Sequence, residues 1–281
     1  MTEQQANLTA TQEKFAQALY DAYKSGNPLL ESEWEGVVTD DDTAYRVQDR
    51  VMALKNQEVG GYKVSLTSEE TQKMFDSDSP LYGQQVADHF LKSPAEVKLS
   101  DRMAALTEVE LGFRAKEDLS PDDSLEDLMK KTTVCGTLEV PDSRFKDWFP
   151  SLSKYNVMSD CAVGGLVVYG EERDTDKVFA TPEDAAKVHA ELYFNGEKKD
   201  EGDSSEVLGN PLKSLQWLVA KLASQGKQFK KGQLVSSGTF VLPPKLAAGK
   251  WEAKFDHGFG TVELNRSEEH TSELQSHLNL V

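Results

Sequence analysis

Two glutamates in one short stretch are the residues of this sequence best suited to chemistry. Residues 106–113, Leu-Thr-Glu-Val-Glu-Leu-Gly-Phe, predict a β-strand, in which successive side chains point to opposite faces. Glu108 and Glu110 then share one face, about 6.6 Å apart along the strand. Two carboxylates that face a protein interior need a compensating cation, and Mg²⁺ or Mn²⁺ prefers such oxygen ligands. The alternative is that both lie on a solvated outer face, where charged residues are mostly found.

A third glutamate and a lysine stand in two other short motifs. Glu139 comes just before Pro141 and Asp142, which are typical of a turn. Lys63 lies in a predicted strand, residues 62–67, in which it shares one face with Ser65. The lysine either reaches solvent along its aliphatic stem or supplies a positive charge for an anionic substrate.

Composition and charge exclude several classes of partner. The chain has 281 residues, a net charge of −17 and 38% hydrophobic residues. This acidic balance argues against nucleic acid or an anionic membrane as a partner. No apolar run is long enough to span a bilayer and no secretory signal opens the chain. Cys135 and Cys161 have no zinc-binding spacing, so we expect a cytoplasmic protein with two reduced thiols.

The order of patterns along the chain predicts an α+β fold. Amphipathic helices are expected at residues 9–25 and from Thr39, where Asp40, Asp41 and Asp42 favour a helix start over a metal site. Many short strands follow, with an Asn195–Gly196 hairpin turn and one further helix at residues 213–225. We therefore expect a helical lead at residues 1–58 and a β-rich domain at residues 59–265, mixed but mostly antiparallel.

An ordered set of motifs resembles a known family. Residues 61–68, 108–113, 138–145 and 208–212 are followed by Trp217-Leu218 and by residues 236–239. Together they closely resemble the 2-keto-4-pentenoate hydratase and 2-oxo-3-hexenedioate decarboxylase branch of the fumarylacetoacetate hydrolase superfamily. The resemblance covers roughly residues 10–265 and implies a β-barrel-like domain after a helical lead.

The resemblance also implies roles for particular residues. It implies a divalent metal, Mg²⁺ or Mn²⁺, held by Glu108, Glu110 and Glu139. It makes Lys63 a catalytic residue that holds or protonates the substrate. The expected substrate-binding residues are Ser65, Gln72 and Thr239.

Some positions depart from the family pattern. Ser65 stands where the family usually has glycine, so the floor of the pocket is expected to differ. The family's Asp-Asn-x-Ser stretch reads Asp160-Cys161-Ala162-Val163, with two polar groups lost. Asp160 is either an active-site carboxylate, the role we assign it among the catalytic residues, or a structural hydrogen-bond acceptor.

The reaction implied is the addition of water to a 2-hydroxy-2,4-dienoate, or 2-oxo-4-enoate, to give a 4-hydroxy-2-oxo acid. The metal would act as a Lewis acid on the enolate of the bound acid. The same enolate would serve the alternative reaction, the decarboxylation of 2-oxo-3-hexenedioate. A further alternative is a non-catalytic subunit that binds a sister enzyme. The resemblance also implies a homo-oligomer.

Residues 266–281 do not continue the family pattern. Their first twelve residues resemble the translation of a sequencing adapter. We expect this segment to pack poorly, and we exclude it from the reasoning about the fold.

Overall fold

The computed structural model describes residues 7–98 and 103–267. Within them most helices begin with a side-chain cap. The helices are α1 (Ala10–Ser25), α2 (Asp41–Lys55), α3 (Glu69–Met74), α4 (Leu125–Lys131), α5 (Lys154–Ser159), α6 (Thr175–Val178) and α7 (Pro211–Ser224). Among the described residues no helix is long and apolar enough to cross a membrane.

The two helices of the lead follow from local sequence signals. Thr9 and Gln12 form the expected capping box of α1, and Gly26 ends the helix in the left-handed conformation. At α2, Asp40 accepts a hydrogen bond from the backbone N–H of Thr43 at 2.8 Å. The acidic run is therefore a helix start, as predicted. Helix α2 packs against α1, α5 and the β-rich part of the chain.

The strands of the described ranges form two sheets. They are β1 (Val59–Ser65), β2 (Leu81–Val86), β3 (Phe90–Lys92), β4 (Ala95–Lys98), β5 (Glu108–Ala115), β6 (Thr132–Val140), β7 (Leu166–Tyr169), β8 (Arg173–Asp174), β9 (His189–Phe194), β10 (Glu197–Asp203), β11 (Leu234–Thr239), β12 (Gly249–Phe255) and β13 (Gly260–Ser267).

The larger sheet is curled and carries the candidate site. Its strand order is β2-β1-β11-β5-β6-β7-β3, with β8 beside β6. Strand β1 pairs with β11 in parallel and β3 with β7 in parallel, and the other pairs are antiparallel. This mixed half-barrel after a helical lead confirms the predicted fold class.

The smaller sheet packs across the back of the larger one. Its order is β10-β9-β12-β13-β4, and the Asn195–Gly196 turn joins β9 to β10 as predicted. Strands β12 and β13 cover β6. At Gly136 a Cβ would lie 2.6 Å from the ring of Phe255, so glycine permits the close approach of the two sheets.

The predicted boundary at residue 265 falls inside a strand. Strand β13 continues through Arg266 and Ser267, which pair with Val97 and Lys98 of β4. The first two residues of the supposed tail therefore belong to the smaller sheet. Residues 268–281 lie outside the described residues, and their origin from an adapter stays a prediction.

Candidate active site

Four neighbouring strands bring the predicted ligands and the lysine together. Glu108 of β5 lies directly opposite Glu139 of β6, and Glu110 lies opposite Thr239 of β11. Each glutamate offers a carboxylate oxygen, and these oxygens all lie within 4.8 Å of one another. Lys63 of β1 forms an ion pair with Glu139.

Polar groups of β11 hold two of the carboxylates from one side. The hydroxyl of Ser236 donates to Oε2 of Glu139 at 2.9 Å. The backbone N–H of Gly238 donates to Oε2 of Glu110 at 2.8 Å. Ser236 and Lys63 hold the two oxygens of Glu139, and Gly238 holds one oxygen of Glu110, so these contacts fix where both carboxylates lie.

The cluster carries an excess of negative charge. Only 1–2% of the surface of Glu110, Glu139 and Lys63 is exposed, whereas Glu108 is partly exposed. Burial raises the pKa of Glu108 to about 7, against the attraction of Lys63. Burial, followed by repulsion from Glu139 and Glu108, raises the pKa of Glu110 well above its ordinary value.

The lysine responds to the same charges in the opposite sense. Burial alone would lower the pKa of Lys63, but the attraction of Glu139, Glu108 and Glu110 outweighs it and raises the pKa. Lys63 therefore stays an ammonium at neutral pH. With all four groups ionised the cluster has a charge of −2, which one divalent cation would neutralise.

The donor set fits a hard divalent cation. Octahedral Mg²⁺ has oxygen ligands at about 2.0–2.1 Å, so two ligands of one ion lie at most about 4.2 Å apart. The carboxylate oxygens lie within 4.8 Å of one another, so small side-chain movements would bring them to that geometry. Three carboxylates would leave the remaining coordination positions for water or for an oxygen-bearing substrate.

A second group of possible ligands in the described ranges is of a different kind. His189, Glu191 and Glu201 lie on the surface of the smaller sheet. Lys198 already bridges Glu191 and Glu201 at 3.2 and 3.0 Å. Because solvent and a lysine balance its charges, this group has no comparable need for a metal.

A cavity opens above the three glutamates. The space inside it is about 650 Å³ when the open solvent at its mouth is included. Lys63, Glu108 and Glu110 form the charged part of its lining. Ser65 and Thr239 also line it, and their contact with a substrate stays a prediction. The hydroxyl of Thr239 also donates to the carbonyl of Val241 at 2.8 Å, which fixes its position.

Gln72 does not reach this cavity. Its side-chain amide donates to the carbonyl of Leu66 at 2.9 Å. Leu66 follows the end of β1 and has φ of 58°, a left-handed conformation that is unfavourable for a leucine. Because Leu66 itself lines the cavity, Gln72 supports one wall from behind.

Asp160 also lies outside the cavity lining. Its Oδ1 accepts from Nε of Arg144 at 2.5 Å, and its Oδ2 accepts from the backbone N–H of Arg144 at 2.9 Å and from Ser143 at 3.1 Å. The guanidinium of Arg144 further donates to the carbonyl of Gly164 at 2.9 Å. Of the two roles considered for Asp160, this arrangement corresponds to the structural acceptor.

The Asp160–Arg144 pair braces an unusual turn. Cys161, Ala162 and Val163 have φ of 52°, 52° and 49°, three successive left-handed residues without a glycine. Such residues cost roughly 1–2 kcal/mol each, so the turn needs outside support. The turn places Val163 in the cavity wall.

Sequence patterns missed most of the apolar wall. Apolar side chains from distant parts of the chain face the substrate space: Phe75, Leu106, Trp148, Phe149, Val157 and Leu242. Trp148 and Phe149 meet edge to face with ring centroids 5.5 Å apart. The adjacent aromatics before Pro150, and Leu242 before Pro243 and Pro244, were the available signals.

Comparison with known proteins finds hydratases and decarboxylases among the relatives of this chain. It is 28% identical over 263 residues to 2-hydroxyhexa-2,4-dienoate hydratase of Comamonas testosteroni, covering 90% of this chain and 96% of that protein. It is 29% identical over 243 residues to 2-keto-4-pentenoate hydratase of Paraburkholderia xenovorans, with coverages of 84% and 86%. A 4-oxalocrotonate decarboxylase of a Pseudomonas species is 25% identical over 244 residues, with coverages of 84% and 90%.

The chain is a homologue of these hydratases and decarboxylases. No protein-family model matches it.

Solved structures confirm the fold. The chain matches 4-oxalocrotonate decarboxylase from Pseudomonas putida, complexed with magnesium and adipate, with a TM-score of 0.83 at 22% identity, covering 92% of this chain and 100% of that one. It matches fumarylpyruvate hydrolase from Pseudomonas aeruginosa, complexed with Mn²⁺ and pyruvate, with a TM-score of 0.57 at 16% identity and coverages of 74% and 89%. This chain therefore shares the fold of these two enzymes.

Proposed function

We propose that this protein is a divalent-metal-dependent hydro-lyase that adds water to a 2-hydroxy-2,4-dienoate, or its 2-oxo-4-enoate form, to give a 4-hydroxy-2-oxo acid. The observation that carries the proposal is a charged cluster in a chain related to hydratases: Lys63, Glu108 and Glu110 line the cavity, and Glu139 joins them from behind. The same relatives support a hydro-lyase in preference to a hydrolase.

The three glutamates would hold Mg²⁺ or Mn²⁺. When bound, the ion supplies Lewis acidity to a 2-oxo acid. Structures of two proteins with this fold were determined with magnesium and with Mn²⁺, which supports a divalent ion here. The cluster's charge of −2 favours a divalent over a monovalent cation.

Lys63 contributes a fixed positive charge. Although burial opposes it, the attraction of Glu139, Glu108 and Glu110 raises the pKa of Lys63, and an ammonium in this position is suited to stabilising negative charge on a substrate oxygen. The ion pair with Glu139 holds its ammonium group at the floor of the cavity. This also supplies the local positive feature that an anionic substrate needs in a chain of net charge −17.

The overall reaction balances with one water molecule. Protonation of the dienol at C5, with loss of the proton of its 2-hydroxyl, gives the 2-oxo-3-enoate. Water then adds across C3 and C4, with the hydroxyl at C4 and the proton at C3. The hydroxyls of Ser65 and Thr239 line the cavity and are the groups we propose to contact the substrate or the water. We propose supporting roles for Gln72 and Asp160, each holding backbone that lines or adjoins the cavity.

The test is a product analysis. Full-length protein with Mg²⁺ and 2-hydroxypenta-2,4-dienoate should form 4-hydroxy-2-oxopentanoate, which proton NMR detects. A chelator and the Glu110→Gln variant should each abolish the product. Glu191→Gln, which alters a glutamate of the surface group on the smaller sheet, is the matched control and should remain active.

Two other outcomes would replace the proposal. Release of CO₂ from 2-oxo-3-hexenedioate without hydration would favour the decarboxylase, which a relative at 25% identity represents. Inactivity on both acids, together with co-purification of a second protein, would favour a non-catalytic subunit.

A further inference from the structure

The charged groups of the cavity lining are gathered at one place. Among the described residues that line it, the charged side chains are Lys63, Glu108 and Glu110. All three belong to the cluster that Glu139 completes. If this cluster holds the metal and the 2-oxo acid end of the substrate, then none of the charged side chains among the described lining residues is left to contact the other end.

The rest of the cavity is dominated by apolar side chains from separate elements. Leu66 follows β1, Phe75 follows α3, and Val163 comes from the left-handed turn after α5. The other members of this apolar wall are Leu106, Trp148, Phe149, Val157 and Leu242. The polar groups between them are hydroxyls, such as Ser65 and Thr239, which carry no charge to balance an anion.

Hydrogen bonds behind the apolar wall hold two of its residues in position. Asp160 and Arg144 brace the turn that presents Val163, and Gln72 braces Leu66. These contacts stabilise left-handed backbone that the residue types alone disfavour.

From this arrangement we infer that the site takes a 2-oxo or 2-hydroxydienoic monocarboxylate with an apolar alkyl or aryl tail, and that it discriminates against a dicarboxylate. The inference rests on the proposed function, because it assumes that the 2-oxo acid end binds at the three glutamates. A second carboxylate at the far end would lose its hydration among apolar groups, and the described residues that line this part of the cavity offer it no cation. An alkyl or aryl tail would instead bury its own surface against the wall.

A matched pair of saturated acids tests the inference by binding alone. 2-Oxohexanoate and 2-oxohexanedioate have the same number of carbons and differ at C6, which is a methyl group in one and a carboxylate in the other. Calorimetry on full-length, Mg²⁺-saturated protein should give a dissociation constant about tenfold or more lower for 2-oxohexanoate. An equal or lower constant for 2-oxohexanedioate would overturn the inference.

A gain of charge at the mouth of the cavity provides the second arm. Leu242 lines the cavity and is 49% exposed, so Leu242→Arg should fold and place a cation beside the tail. This variant should narrow or reverse the preference for 2-oxohexanoate. Leu30 is also 49% exposed and is not part of the cavity lining, so Leu30→Arg is the control and should keep the preference. A preference that Leu242→Arg leaves as strong as in the control would contradict the assignment of this wall to the tail.

Turnover measured in parallel separates the two proposals. Hydration of 2-hydroxypenta-2,4-dienoate combined with tighter binding of 2-oxohexanedioate would refute the apolar tail and leave the hydro-lyase intact. Failure to hydrate the dienoate and to bind either acid would refute the proposed function, and the inference with it.

Discussion

Replacing Glu110 by glutamine should move the stabilities of the metal-free and metal-loaded proteins in different directions. Glutamine keeps an amide oxygen for the 2.8 Å hydrogen bond from Gly238 and removes one buried charge. In the metal-free protein, burial and repulsion from Glu139 and Glu108 raise the pKa of Glu110, so ionising it at neutral pH opposes folding. The metal-free variant should therefore be as stable as the wild type or more stable.

In the metal-loaded protein the same change should be costly. Losing one partner of a buried ion pair costs about 3–5 kcal/mol, which raises a dissociation constant by at least about 100-fold. Mg²⁺ at about 100 times its wild-type dissociation constant stabilises the wild type by about 2.7 kcal/mol. At about 2–4 °C per kcal/mol, the melting temperature should rise by about 5–11 °C. The variant, at or below half saturation, should gain at most about 0.4 kcal/mol, or about 1 °C.

Differential scanning calorimetry with and without Mg²⁺ measures both effects. Glu191→Gln is the control, because Glu191 is partnered by Lys198 and Tyr193 on the smaller sheet, and it should keep the wild-type shift. An undiminished shift in Glu110→Gln, or a metal-free variant several degrees less stable than the wild type, would refute the assignment of Glu110 as a ligand.

Three further predictions concern other parts of the molecule. Asp160→Asn should lower the free energy of unfolding by about 3–5 kcal/mol in denaturant titrations, because it leaves the buried Arg144 without its charge partner. The Mg²⁺ affinity of this variant should stay within about twofold of the wild type. Lost affinity in a stable variant would instead show that Asp160 takes part in the metal site. The hydrogen bond with Asp203 raises the pKa of His189, so this histidine should titrate above its ordinary range in an NMR titration. Its contribution to stability is present below about pH 6.5 and is lost as the pH rises through the raised pKa. A His189 pKa that is unchanged in Asp203→Asn would contradict this cause. Burial raises the pKa of Cys135 and of Cys161, so both thiols should resist a disulfide reagent at pH 8 until the protein unfolds. Rapid labelling of the native protein would contradict this, because it would show that at least one thiol is accessible.

Local rules account for much of the fold that the sequence predicts. Capping residues and charge place the start of α2 at Asp41, after Asp40, because a helix terminus is satisfied by neighbours within one turn. Alternation puts Glu108 and Glu110 on one face of β5 because the side-chain period of a strand is two. Which strands pair could not be predicted in the same way, since the parallel pairing of β1 with β11 joins residues about 170 positions apart.

The candidate site was predicted unevenly for the same physical reason. The family resemblance selected Glu139 and Lys63, and the register of the sheet brings both to Glu108 and Glu110. The sequence left the role of Asp160 open, because its partner Arg144 stands 16 positions earlier and the two meet only through the fold of the chain between them. The apolar wall was missed because Trp148 and Leu242 come from loops, whose paths depend on packing with distant elements.

Diffraction from crystals grown with Mn²⁺ tests the central claim most directly, because anomalous scattering locates the ion without reference to activity. We expect the strongest anomalous peak to lie among the carboxylates of Glu108, Glu110 and Glu139, within coordination distance of an oxygen from each. The peak should be absent from crystals of Glu110→Gln at the same Mn²⁺ concentration. A wild-type crystal with no ion at these glutamates, or with its ion only at the surface group of His189, Glu191 and Glu201, would contradict the metal centre and the function built on it.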